Sequence, residues 1–206
     1  MGKLVLLRHG ESVWNKKNVF TGWVNIGLSE GGIEEARKAG KELKKFIFDA
    51  VYVSTLIRAQ MTVALALADQ MLLFPGDGEW DKSYGESEFI PVIESAALNE
   101  RYYGKLQGKN KDAIRQEFGE EQFRLWRRSY DVPPPEGESL KMTIERTLPY
   151  CKKEIFPRVE KGETILICAH GNSIRGIVMY LDGLSEEEIV QCEIPTGVPL
   201  IYDLPR

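Results

Sequence analysis

The sequence contains little cysteine and little histidine. Its 206 residues include three cysteines, Cys151, Cys168 and Cys192, and no two of them form a Cys-x-x-Cys pair. A disulfide framework or a zinc knuckle is therefore not indicated, and we expect buried free thiols. The two histidines cannot supply the three or four ligands of a zinc site, and no His-x-x-x-His motif is present. The sequence predicts no metal.

Long apolar runs and a strong charge excess are also absent. No stretch approaches the roughly 18 apolar residues that span a bilayer, and the N-terminus meets charges at Lys3 and Arg8, too soon for a signal peptide. The balance of 27 basic and 31 acidic residues argues against a surface that grips nucleic acid or anionic membrane. We therefore expect a cytoplasmic protein with no nucleic-acid or membrane partner, in which any anion site is local.

Strand and helix patterns alternate along the chain. A hydrophobic fraction of 43% is typical of a soluble globular protein, and the length favours a single domain over residues 1–206. Short apolar runs predict strands over 4–7, 50–53, 164–169 and 198–203. Helical spacing predicts helices over 29–46, 56–70, 110–128, 140–159, 173–181 and 186–192, the fourth bent or broken near Pro149 and Pro157. This order predicts an α/β three-layer sandwich, with a mainly parallel central sheet flanked by helices.

One region interrupts the alternation. Residues from about 75 to 91 are rich in glycine and proline and lack periodicity, which predicts a loop. The helix that follows, over 110–128, is polar and basic, and Pro133, Pro134 and Pro135 close it. Together these features predict a helical lid insertion over about 75–139.

Each histidine directly follows a predicted strand, in Arg8-His9-Gly10 and in Ala169-His170-Gly171. Ligand sites in open α/β sheets lie at the carboxyl ends of the strands, so we expect His9 and His170 to share one pocket. The glycine after each histidine is expected to allow close approach of a ligand or a positive φ.

The neighbouring residues favour a phosphoryl group as the ligand. Arg8 adjoins His9, and Arg58 follows the second strand; a guanidinium matches phosphoryl oxygens in shape and charge. A neutral imidazole can attack phosphorus through one nitrogen while the other donates to a backbone carbonyl. Cationic groups then stabilise the transition state, and a carboxylate is expected to handle the hydroxyl proton. These arguments do not choose that carboxylate among the 31 acidic residues.

These motifs resemble the histidine phosphatase superfamily, and flanking blocks resemble its cofactor-dependent phosphoglycerate mutases over residues of about 3 to 203. The blocks are Asn15, Phe20-Thr21-Gly22-Trp23, Leu28-Ser29, Asn99-Glu100-Arg101-Tyr102-Tyr103-Gly104, Leu106-Gln107-Gly108, Asn110-Lys111, Trp126-Arg127-Arg128 and Pro195-Thr196-Gly197-Val198-Pro199. Their combination is far more specific than a lone Arg-His-Gly.

The resemblance implies roles for particular residues. His9 would be the phosphorylated nucleophile, Glu100 the general acid and base, and His170 a stabiliser of the transferring phosphoryl group. Arg8, Arg58, Asn15, Gly171 and Asn172 would hold that group. The residues implied to bind the carboxylate and second phosphate of a phosphoglycerate are Ser12, Thr21, Gly22, Arg101, Tyr103, Lys111, Arg127 and Arg128.

The implied activity is an isomerisation in glycolysis and gluconeogenesis. It interconverts 3-phosphoglycerate and 2-phosphoglycerate through a phosphohistidine primed by 2,3-bisphosphoglycerate, without a metal. One alternative is a phosphatase of bisphosphoglycerate or other small phosphate esters, and another is a non-catalytic phosphoanion-binding protein.

The chain also departs from the family. After Tyr130 it passes directly through 133–139, where longer members carry an additional segment, and it ends at Arg206 without a tail that members often fold over the active site. We therefore expect more leakage to water and more phosphatase side activity. Dimers and tetramers are common in the family, so a homodimer is implied, but the shortened chain leaves assembly open.

Overall fold

A six-stranded sheet crosses the protein in the computed structural model, which describes residues 1–70, 72–73 and 89–204. The strands are β1 (Gly2–Arg8), β2 (Ala50–Ser54), β3 (Leu72–Leu73), β4 (Ile90–Ser95), β5 (Thr164–Ala169) and β6 (Pro199–Leu204). Their spatial order is β3-β4-β2-β5-β1-β6. All neighbours pair in parallel except β6, which runs antiparallel to β1. The predicted mainly parallel sheet is confirmed.

Helices connect the strands, and short polar side chains cap several of them. They are α1 (Val13–Lys16), α2 (Glu30–Leu43), α3 (Ile57–Ala66), α4 (Lys111–Phe118), α5 (Glu120–Arg128), α6 (Leu140–Tyr150), α7 (Phe156–Glu160), α8 (Gly171–Asp182) and α9 (Glu186–Gln191). Ser29, Ser139 and Ser185 each accept a backbone N–H at a helix start, which satisfies a group that would otherwise lack a partner. Single turns of 3-10 helix lie at Ala96–Leu98 and Gly104–Leu106.

Alternate residues of the central strands face two separate cores. Leu4 and Leu6 of β1 pack in the cluster that also holds buried residues of α7 and α8. Val5 and Leu7 pack in the cluster formed with α2 and α3. Because a strand presents successive side chains to opposite faces, helices cover the sheet on both sides. This arrangement confirms the three-layer sandwich.

Two of the predicted helices need comment. The break expected near Pro149 and Pro157 is confirmed as a π-helical turn, Cys151–Ile155, between α6 and α7. The helical region predicted over 110–128 is confirmed, but Gly119, with φ of +83°, divides it into α4 and α5. Glycine adopts that conformation readily and ends a helix there.

The sheet also holds two strands that periodicity did not predict. The loop predicted over 75–91 lies outside the described residues as far as 88, and its end is wrong because β4 begins at Ile90. Pro91 argues against a strand when only the sequence is considered, because proline lacks the N–H that most strand positions need. No helix among the described residues is long and apolar enough to cross a membrane.

Candidate active site

The register of the sheet brings the ends of its central strands together. Arg8 at the end of β1 pairs with Ala169 at the end of β5, and Val53 of β2 pairs with Cys168. The next residue after β1 is His9, whose N–H donates to the Ala169 carbonyl at 3.0 Å. The ring centroids of His9 and His170 lie 4.9 Å apart. The two histidines therefore lie side by side, as expected, although His9 alone of the two lines the cavity described below.

His9 is held with the proton on one ring nitrogen and the lone pair on the other. Its Nδ1 lies 2.6 Å from the Gly10 carbonyl oxygen, and because a carbonyl only accepts, Nδ1 carries the proton. Nε2 then has the lone pair, and Arg58 Nε donates to it at 3.3 Å. Burial lowers the pKa of His9 well below its usual value, and the charges of Arg58 and Arg8 lower it further. The ring is therefore neutral and nucleophilic at pH 7.

His170 is oriented by a chain of hydrogen bonds. Ser54 Oγ donates to Asn99 Oδ1 at 2.7 Å, so it accepts from His170 Nε2–H at 2.8 Å. The other ring nitrogen, Nδ1, is buried and has no hydrogen-bond partner among the described residues. Burial, then the charges of Arg58 and His9, lower the pKa of His170 well below its usual value. A buried acceptor nitrogen without a partner costs free energy.

Two arginines are locked beside the histidines by backbone carbonyls. Arg58, in the first turn of α3, is 1% exposed and donates to the carbonyls of Gly22 at 2.7 Å and Val24 at 3.1 Å. Burial lowers its pKa to about 10, so it is still protonated at neutral pH. Arg8 Nη1 donates to the Ile194 carbonyl at 2.6 Å, and the buried Nε of Arg8 has no partner in the part of the chain that the structure describes. Both guanidinium groups are therefore fixed in place before any ligand arrives.

A cavity of about 160 Å³ opens beside His9. Of the residues that the structure describes, its walls carry six cationic side chains, those of Arg8, Arg58, Lys111, Arg127, Arg128 and Arg175, and two carboxylates, those of Glu100 and Glu193. The other lining residues are Asn15, Val19, Phe20, Thr21, Gly22, Tyr103, Gly171 and Asn172. An excess of fixed positive charge in a concave wall suits a small ligand that carries several negative charges.

The cations of the cavity crowd one another. Burial lowers the pKa of Lys111, and the neighbouring charge of Arg127 lowers it further. Burial also lowers the pKa of Arg127, with a second contribution from Arg128. Like charges held close together without an anion are costly, so a bound polyanion would relieve this repulsion.

Glu100 reaches the same cavity from the segment after β4. Its Oε1 accepts from the N–H of Arg101 at 2.7 Å and from Asn172 Nδ2 at 2.8 Å. No hydrogen bond to the second carboxylate oxygen is found among the described residues. A buried carboxylate with a free oxygen, on the wall that holds His9, can exchange a proton with a ligand hydroxyl.

An ion pair behind the cavity holds the backbone of Glu100. Arg146 of α6 binds Glu138 through Nε at 3.0 Å and through Nη2 at 2.9 Å, and Nη2 also donates to the Glu100 carbonyl at 2.8 Å. Glu138 in turn accepts from the N–H of Tyr102 at 2.9 Å. The pair therefore clamps the chain on both sides of Arg101 and positions Glu100.

Three residues predicted for the site do not line the cavity. Ser12 is fully buried, and its hydroxyl caps α1 and donates to Asn15 Oδ1 at 2.8 Å. Arg101 is also buried, with Nη2 donating to the Tyr103 hydroxyl at 3.1 Å and to the Arg127 carbonyl at 3.2 Å. Neither side chain reaches the cavity in this geometry, because each one binds residues that line it; that the two bind the ligand stays a prediction. His170, fully buried, lies behind the lining beside His9.

Four lining residues escaped sequence reasoning: Val19, Phe20, Arg175 and Glu193. Arg175 lies one helical turn after Gly171 on α8, and that spacing could have placed it on the same face. No local sequence pattern identifies Glu193 as a lining residue, because its position depends on the contact between the segment after α9 and Arg8 of β1.

The two glycines that follow the histidines, Gly10 and Gly171, have different structural roles. Neither adopts a positive φ. A Cβ on Gly10 would lie 2.3 Å from the Gly32 carbonyl oxygen, so Gly10 permits the loop to pack on α2. A Cβ on Gly171 would meet the Arg8 guanidinium at 3.6 Å, an ordinary contact on the cavity wall.

Comparison with known proteins gives consistent matches over nearly the whole chain. A family model described as histidine phosphatase superfamily (branch 1) matches residues 4–200. A protein of Parvibaculum lavamentivorans, named 2,3-bisphosphoglycerate-dependent phosphoglycerate mutase, is 54% identical, with 98% of this chain and 90% of the relative covered. One of the same name from Chlamydia muridarum is 49% identical, with 98% and 94% covered.

Solved structures show the same fold at lower identity. The alpha-ribazole phosphatase of Shigella flexneri superposes with a TM-score of 0.78 at 24% identity, over 99% of this chain and 91% of that one. A mycobacterial glucosyl-3-phosphoglycerate phosphatase superposes with a TM-score of 0.77 at 23% identity, over 98% and 92%.

Proposed function

Since the chain belongs to the histidine phosphatase superfamily and to its family of 2,3-bisphosphoglycerate-dependent phosphoglycerate mutases, we propose that it interconverts 3-phosphoglycerate and 2-phosphoglycerate, a step of glycolysis and gluconeogenesis. The observation that carries this proposal is the convergence of a neutral His9, two fixed arginines and Glu100 on one cationic cavity. A phosphoglycerate carries a phosphate and a carboxylate, which match the excess of positive charge.

In the proposed reaction, His9 Nε2 bonds to phosphorus as the ester bond from phosphorus to oxygen breaks. The leaving oxygen takes a proton from the Glu100 carboxyl. In the reverse sense, a ligand hydroxyl gives its proton to the Glu100 carboxylate and its oxygen takes the phosphoryl group from His9. Arg8 and Arg58 stabilise the equatorial oxygens, and His170 would serve the same group as the imidazolium, the form that a bound phosphoryl anion favours, since the neutral ring has only a lone pair on Nδ1.

2,3-Bisphosphoglycerate, which the names of the relatives imply, fits the residues present. It supplies the phosphoryl group that primes His9. Arg8 Nε and Thr21 Oγ1 are buried polar atoms without partners within residues 1–70, 72–73 and 89–204, and they fit a phosphoryl group beside His9. Lys111, Arg127 and Arg128 would hold the remaining anionic groups.

The helices that carry these three cations form a separate small core. Phe20, Leu106, Ile114, Phe123 and Trp126 pack together between α4, α5 and the loop after α1. We propose that this unit, part of an insertion over about 75–139 in a single domain, is the lid that keeps water from the phosphohistidine. Excluding water is what separates transfer to a hydroxyl from hydrolysis.

The test is conversion of 3-phosphoglycerate to 2-phosphoglycerate in EDTA, with and without catalytic 2,3-bisphosphoglycerate, while free phosphate is followed. We expect rapid conversion that depends on the primer and survives the chelator. Free phosphate without 2-phosphoglycerate would replace the mutase with a phosphatase. Loss of activity in EDTA would contradict the metal-free mechanism.

A further inference from the structure

One carboxylate lies among the cations of the cavity without an evident part in phosphoryl transfer. Glu193 lines the wall with Oε1 2.7 Å from Arg128 Nη2 and Oε2 3.6 Å from Arg175 Nη2. A site built for polyanions gains nothing in affinity from its own negative charge. Glu193 therefore needs a separate explanation.

The two arginines differ in what else they can bind. Arg175 donates through Nε to the Cys192 carbonyl at 2.7 Å and through Nη1 to Asn172 Oδ1 at 3.2 Å, so its position is fixed by groups other than Glu193. For Arg128, Glu193 is the ion-pair partner that the described part of the chain provides. A ligand that binds Arg128 must therefore compete with Glu193.

Glu193 can give way without disturbing the fold. Its backbone is held on both sides, by Arg175 at the Cys192 carbonyl and by Arg8 at the Ile194 carbonyl. Its side chain is 65% exposed, so a change of rotamer moves the carboxylate into water. The Arg128 ion pair is thus easily opened.

We propose that Glu193 is a specificity-determining residue, an internal anion that occupies the Arg128 subsite until the second anionic group of the ligand displaces it. This inference rests on the proposed function, because it takes the ligand to be a phosphoglycerate with two anionic groups. Glu193 then weakens the binding of ligands with two anionic groups. It therefore reduces the difference in affinity between these ligands and anions that bind only beside His9.

The size of the effect follows from an exposed ion pair and from repulsion of a nearby ligand charge. Each contributes up to about a fivefold change in affinity in high dielectric. We expect Glu193→Gln to tighten 3-phosphoglycerate about threefold to tenfold, and Glu193→Ala to do the same.

Calorimetric titration at low salt, without 2,3-bisphosphoglycerate, measures this binding with no turnover. The matched control is Asp69→Asn, which breaks an ion pair of similar geometry, 2.6 Å from Lys44 with Asp69 73% exposed, among residues that do not line the cavity. Inorganic phosphate serves as a probe with one anionic group, and we expect less than a twofold change for it.

Unchanged or weaker binding of 3-phosphoglycerate by both Glu193 variants would overturn the proposal. So would equal tightening by Asp69→Asn, or equal tightening of inorganic phosphate, since either would show a general charge effect. The mutase assay is independent: a wild-type protein with mutase activity and no change in the titration refutes only the role of Glu193.

Discussion

The two buried histidines make the stability of the free protein depend on pH in a range where few other groups titrate. His9 is 2% exposed and His170 is fully buried, and burial together with nearby arginines keeps both folded pKa values well below 6.5. In the unfolded chain both rings bind protons near pH 6.5. As the pH falls below that value, both histidines bind protons in the unfolded state but stay neutral in the native state. Stability is therefore complete above about pH 6.5 and is lost as the pH falls toward the folded pKa.

The magnitude follows from linkage. Each neutral buried histidine costs about 1.4 kcal/mol of unfolding free energy between pH 7.5 and pH 5.5, so the pair costs about 3 kcal/mol. The chain has only these two histidines, so no surface histidine contributes. Urea unfolding at several pH values, in buffers free of phosphate and sulfate, measures the loss.

A single substitution provides the control. His170→Asn removes one of the two titrating rings, so it should halve the dependence on pH whatever it does to stability at pH 7.5. A wild-type free energy of unfolding that changes by less than about 0.5 kcal/mol across this range would refute the reasoning. The histidines would then titrate in the folded protein much as they do in the unfolded chain, and burial would not lower their pKa values.

The other predictions concern catalysis. His9→Ala should abolish both phosphoryl transfer and labelling of the protein by a phosphate donor, and surviving transfer would contradict the mechanism. Glu100→Gln should lower kcat about 100-fold or more while the labelled His9 still forms from an activated donor; a change below about fivefold would exclude Glu100 as acid and base. Arg146→Met should lower kcat about tenfold, because the Glu100 carbonyl loses its hydrogen bond to Arg146. It should also lower the free energy of unfolding by about 3 kcal/mol, because the partly buried Glu138 carboxylate loses its ion-pair partner. The control is Arg158→Met, which breaks the ion pair with Glu163 and should lower stability without lowering kcat. An equal loss of kcat in Arg158→Met would contradict the positioning role of Arg146.

Local patterns predicted most of the fold because the signals are strong where burial is complete. Thr164–Ala169 is an unbroken apolar run, and it forms the fully flanked strand β5. The short strand β3 and the strand β4 with Pro91 were missed, because their pairing partners, not their own residues, stabilise them. Periodicity continues across Gly119, so the pattern alone does not show that the helical region over 110–128 is divided into α4 and α5.

The chemistry of the site was visible in residue types placed at strand ends. His9 and His170 each follow a buried strand, and parallel strands bring such positions to one edge whatever the details of packing. The resemblance to a known family supplied Glu100, which no physical argument from the sequence could choose among 31 acidic residues.

The sequence by itself determined the alternation of strands and helices, the positions of the two histidines and the arginines beside them, because each of these depends on near neighbours along the chain. Only the tertiary structure decided which polar side chains reach the cavity. It buried Ser12 and Arg101 behind the wall and brought Arg175 and Glu193 into it. Those positions depend on contacts between segments distant in sequence, which form only when α4, α5, α8 and the chain before β6 pack around the end of the sheet.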